Sequence, residues 1–190
     1  MRDFVEMTVE SAFTVPDHIS FQDAIALTQS LLDRAEQGQV SESILEQTIQ
    51  ALVRTENGAR GFFVTYLSDN RPLIEQIIPV VVQALKTSPE VISPLLVKNL
   101  AMSTAMAITH RRNQNKDMAY GSDRVRSHTI ALIQALPLSS LQEHADQLAA
   151  SIRTGTGDYQ SFLERWGYDT EQKQAIYTAL EQAGLLQAAH

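Results

Sequence analysis

Six cationic side chains, Lys98, Arg111, Arg112, Lys116, Arg124 and Arg126, fall between residues 91 and 126 with His110 and His128 beside them. No Asp or Glu occurs between Glu90 and Asp117. Guanidinium groups bind carboxylate, sulfate and phosphate through paired donors, and a helix N-terminus adds its own positive end. With a helix expected to begin at Ser122, His110, Arg111, Arg112, Lys116, Arg124 and Arg126 form a candidate corner for an anionic group or an acidic protein partner. The competing reading is a solvated turn, or an ion-pair surface that docks against the acidic N-terminal residues. Nucleic acid fits less well. Such an island offers roughly four to six phosphate contacts, which binds weakly and loses affinity steeply with salt. Tyr120 is the one ring available for base stacking, and the helix after Ser122 turns apolar within two turns.

A second group is aromatic. Tyr159, Phe162, Trp166, Tyr168 and Tyr177 are five of the twelve aromatic residues and lie within nineteen positions. Phe162 and Trp166 are four apart and share a helix face, so Tyr159, Phe162 and Trp166 form a candidate aromatic interface; closure of a thin core explains the same residues. A third cluster, Arg60, Phe62, Phe63 and Tyr66, reads as core packing before it reads as a pocket.

Signatures of catalysis are missing. Gly155-Thr156-Gly157 follows no strand and lacks the lysine of a phosphate-cradling loop. There is no G-x-S-x-G elbow, and no pair of His and Glu at one-turn spacing on a helix face. The five histidines are scattered, and the apolar run from Pro94 to Ile108 holds no acid that could serve a metal site inside a bundle. The expectation is no catalytic residue, no metal and no cofactor.

These residues must be positioned by a chain of 190 residues that is 44% hydrophobic and carries a net charge of −7. That length and composition support a well-cored domain and exclude disorder or a collagen-like repeat. The charge opposes an anionic membrane or nucleic acid as the general partner, yet it is uneven: the first 56 residues hold three basic and ten acidic side chains. Cysteine is absent, which removes disulfides, thiolate nucleophiles and zinc ribbons. The first ten residues lack the apolar core of a signal peptide, and no apolar run approaches the about 20 residues of a membrane span, so a cytoplasmic location without a membrane partner is expected.

The periodicity is helical throughout. Apolar sets at three- and four-residue spacing follow start signals at Ser20, Ser43, Asn70-Pro72, Ser93-Pro94, Ser122, Ser140, Asp158 and Asp169, with a further start signal at Ser88-Pro89 and a shorter segment from Arg60 to Leu67. Asn57-Gly58, Gly155, Gly157 and Gly167 read as stops, and Pro79 as a kink. The alternation of Val9, Ser11, Phe13 and Val15 suggests a short strand or extended arm over residues 1–19. Helix starts are irregular, which disfavours a repeat. The expected architecture is all-α: a single globular bundle of eight or nine helices over 20–190 around a buried helix that opens at Pro94, with one sub-domain seam at 137–140.

Together these features point to a non-enzymatic interaction or adaptor protein, binding through the arginine corner, the C-terminal aromatic helix, or both. The same surfaces could join two copies. The alternatives are a small-ligand-binding regulatory protein and, below that, a nucleic-acid-associated one.

Overall fold

A computed structural model describes residues 13–187. Among them ten helices and no strand occur: α1 Phe21–Glu36, α2 Glu42–Leu52, α3 Glu56–Ser68, α4 Leu73–Gln76, α5 Ile78–Leu85, α6 Pro89–Arg112, α7 Lys116–Ala135, α8 Ser139–Thr154, α9 Gln160–Trp166 and α10 Thr170–Gln182. The all-α class is as the periodicity requires. The helices group into two compact units, Met1–Ile92 and Ser93–His190, and the division falls inside α6. Pro137–Ser140 lies within the second unit, between α7 and α8.

In the first unit, α1 begins at Ser20, whose hydroxyl accepts from the Asp23 amide at 3.1 Å. Its inward face carries Ala24, Thr28, Leu31 and Leu32. The next helix starts earlier than Ser43 suggested, because Ser41 is the cap and accepts from the Ile44 amide. Asn57-Gly58 does not break the chain either. Thr55 caps α3 through the Gly58 amide at 3.1 Å, and glycine is needed there for space, since a Cβ would lie 2.0 Å from the Leu52 carbonyl oxygen. Gly61 serves the same end a turn later, where its missing side chain lets α3 seat against Ala24 of α1.

Phe62, Phe63 and Tyr66 of α3 are fully buried, with the Phe62 and Tyr66 rings stacked at 5.3 Å. The Tyr66 hydroxyl donates to the Ile74 carbonyl at 3.0 Å, so this cluster is core and not a pocket. Arg60 points elsewhere, over the Phe21 ring. The helix expected to kink at Pro79 is instead broken at Ile77 into α4 and α5, with proline in the first turn of the second piece, where its missing N–H has no helical partner to lose. That break supplies the tenth helix. Of the expected N-terminal strand, Val9 and Ser11 lie outside the described residues; Phe13 is buried beneath the Arg34 guanidinium.

The buried helix, α6, opens at Pro89 rather than Pro94: the Ser88 carbonyl accepts the Val91 and Ile92 amides, and Pro94 lies inside the helix. Its length and hydropathy match those of a membrane span, a test that a core helix also passes, and most of its apolar stretch is buried. In the second unit its face of Leu96, Val97, Leu100, Ala101 and Ala105 is fully covered. Ser93 on that helix pairs its hydroxyl with Ser140 at 2.8 Å. Ser140 is therefore a packing residue in the first turn of α8 and not its cap. Asp158 likewise leaves α9 uncapped by a side chain, whereas Asp169 and Gln172 form the expected capping box of α10. The Gln172 amide also donates to the Ala105 carbonyl and the Thr109 hydroxyl, tying the start of α10 to α6.

Candidate interaction surface

The basic corner is the turn from α6 into α7. His110, Arg111 and Arg112 are the last residues of α6, and Gln114 takes a left-handed φ of 57° in the turn. Asn115 caps α7 by accepting from the Met118 amide at 3.2 Å. The helix thus starts six residues before Ser122, and Arg124 and Arg126 stand in its third turn instead of facing its free amides. The helix start expected at Ser122 is corrected to Asn115, whose side chain accepts from the Met118 amide, so no helix N-terminus lies beside Arg124 and Arg126.

The arginines have partners within the chain. Arg111 and Arg126 share Asp123, the second at 3.2 Å. Arg112 spans Asp169, at 2.5 Å, and Glu171, at the head of α10. The Arg112 guanidinium, followed by the Gln172 backbone N–H, holds the Asp169 carboxyl below the usual carboxylate range, and the two carboxylates raise Arg112 in turn. Lys116 is exposed, Arg124 and His110 are half-buried, and Arg124 makes an interaction within its own chain. Lys98 is remote from the turn in role: its ammonium lies over the Tyr159 ring, 5.9 Å from the centroid.

At the start of α7, between these charges, two large apolar side chains face solvent. Met118 is 53% exposed and Tyr120 66%. Sequence reasoning missed Met118 and named Tyr120 only as a ring for base stacking, although the signal was present. Starting the helix at Asn115 places Ala119, Thr129 and Ile133 inward and leaves Tyr120 and Arg124 on the outer face.

The aromatic helix divides between core and surface. Tyr159 is buried; its hydroxyl pairs with His144 Nδ1 at 3.0 Å, and burial, then the neighbouring Asp158 charge, pushes it up to about 12. Phe162 is half-buried and meets both Tyr159 and Tyr168 edge-on, near 6 Å. The Tyr168 hydroxyl is buried with no hydrogen-bond partner among the described residues, and burial raises its pKa. Trp166 remains 45% exposed.

An open groove of about 380 Å³ runs beside α10, lined by Thr104, Arg126, Glu171, Gln174, Thr178 and Gln182 with two alanines. Among the described residues no group of three His, Asp or Glu side chains is placed to hold a metal ion.

The chain belongs to the family described as Uncharacterised conserved protein UCP020893, whose sequence model matches residues 20–183. No curated protein and no solved structure matches the chain.

Proposed function

We propose that this family member is a non-enzymatic protein-interaction module that engages an acidic partner through the α6–α7 corner. The observation that carries this reading is the exposure of Met118 and Tyr120 in the first turns of α7, in the segment that also holds Arg111, Arg112, Lys116 and Arg124. Tyrosine, methionine and arginine are the residue types enriched where proteins dock, and a ring with only two side-chain torsions loses little entropy on binding. The rim supports the same reading. Exposed ion pairs such as those of Arg111 and Arg112 are weak, so their guanidiniums exchange an internal carboxylate for a partner's at small loss. Trp166 offers a second, smaller contact on α9.

A photo-cross-linking side chain placed at position 120 in cells, with position 64 as control, tests the proposal. Val64 is also an exposed apolar residue but lies on the first unit. A discrete cross-linked species from position 120, absent from position 64 and lost with Lys116→Glu and Arg111→Glu together, is the expected result. Equal, diffuse labelling from both positions overturns it.

A further inference from the structure

The half-exposed side of α7 carries a residue that no described neighbour explains. Gly121 sits within a twenty-residue helix, yet among the described residues no atom lies within 4 Å of a Cβ built on it, and its φ is not in the left-handed region. Glycine inside an exposed helix is disfavoured against alanine, because it orders a more flexible backbone and shields less of it. Gly58 and Gly61 are accounted for by neighbouring atoms; Gly121 is not. A position without a side chain admits the close approach of something outside the helix.

The neighbours of Gly121 say what approaches. Asp117, Tyr120, Gly121 and Arg124 follow the i, i+3, i+4, i+7 spacing of one helix face. This set is self-complementary about the point midway between residues 120 and 121. If a second α7 runs antiparallel across it there, Tyr120 of one copy lies over Gly121 of the other, twice, and Asp117 lies opposite Arg124, twice. An exposed ring faces a gap in the side-chain surface, and an acid faces a base at equal distance on either side. Reciprocal contact of this kind is what a two-fold interface requires. Arg124 already has an interaction in its own chain, but a guanidinium has five donors and serves two carboxylates.

We infer that the partner of the corner is a second copy of this chain, joined by antiparallel pairing of α7 with the Tyr120 ring seated on Gly121 of the opposite copy. The inference rests on the corner being an interaction surface, and the carboxylate it supplies to each copy is Asp117 of the other, opposite Arg124.

Sedimentation equilibrium of the full chain over a concentration series tests the pairing. The natural chain should self-associate to a dimer. Gly121→Leu, whose Cβ meets no described atom within 4 Å in the monomer, should weaken association by roughly tenfold or more. Asp117→Arg alone and Arg124→Asp alone place like charges opposite each other and should weaken it comparably, whereas both in one chain restore opposite pairs and should recover most of the affinity. Circular dichroism melts of each variant confirm folding; should Arg124→Asp melt early, Gly121→Leu and Asp117→Arg still decide the matter. A natural chain that stays monomeric throughout overturns the self-pairing, and if position 120 still cross-links a different protein the interaction surface stands. A dimer indifferent to Gly121→Leu, or unrestored by the charge exchange, also overturns it.

Discussion

Each unit contains an arginine that bridges several carboxylates and a cluster of aromatic rings, and the two units use them differently because they bury them differently. In the first unit Arg71 binds Asp69, Asp33 and Glu36, with its side chain 20% exposed and that of Asp69 only 12%. Burial alone would raise the Asp69 carboxyl, but hydrogen bonds and charge from Arg71 outweigh it and the carboxyl ends below its ordinary range. In the second unit Arg112 makes a similar bridge with all three side chains in water. The rings divide less sharply: Phe62, Phe63 and Tyr66 are sealed, and in the second unit Tyr159 and Tyr168 are buried as well while Tyr120 and Trp166 stand out. Like chemistry therefore fastens the fold at one place and leaves a surface available at another. The deciding variable is solvent access, which sets both the strength of an ion pair and whether a ring has a neighbour.

Four measurements would break or sharpen this contrast, beginning with the greatest effect. Phe62→Ala empties a fully buried ring site and should cost about 3–5 kcal/mol in urea unfolding, while Trp166→Ala should cost about 1 kcal/mol or less. Comparable losses at the two rings would place Trp166 in the core. Arg71→Ala leaves the half-buried Asp69 without its cation and should cost about 2 kcal/mol near neutral pH. Its pH dependence has a definite sign. A carboxyl lowered by folding adds stability that is complete above the unfolded pKa of about 4 and is lost as pH falls through the lower folded value. The Arg71→Ala variant should consequently show a flatter loss of stability on acidification than the natural chain, and parallel curves would remove Arg71 as the cause. Gly121→Ala should raise the melting stability of the monomer by about 1 kcal/mol while weakening self-association, a pair of opposite signs that a purely structural glycine would not give. The smallest effect belongs to Arg112→Ala, for which the unfolding midpoint should shift no more than replicate scatter and should be insensitive to added salt. A clear loss there would make the second corner a clamp like the first.

The helical class was legible because apolar spacing is a local property: Leu31 and Leu32, Ile49 and Leu52, and Leu132 and Ile133 recur at helical spacing and are buried. Caps were legible only where the side chain had no better partner. Asp169 and Gln172 formed their box, while Ser140, at equivalent spacing, gave its hydroxyl to Ser93 from another helix. The start of α7 was misplaced for a related reason. Asn115 competes with Ser122 as a cap, and only the turn through Gln114 brings Asn115 to the amide of Met118. From that shift came the loss of Met118 as a candidate and of Tyr120 as an interface residue.

By itself the sequence determined that this protein is helical and that cations gather between residues 91 and 126. Each of these follows from residue type and from spacing within a few turns. Only the tertiary structure decided that Arg112 meets Asp169 and Glu171, fifty-seven and more positions away, and that Tyr159 is covered while Tyr120 is not. A charge acts through the dielectric around it and a ring through the atoms against it, and both are set by segments distant in the chain.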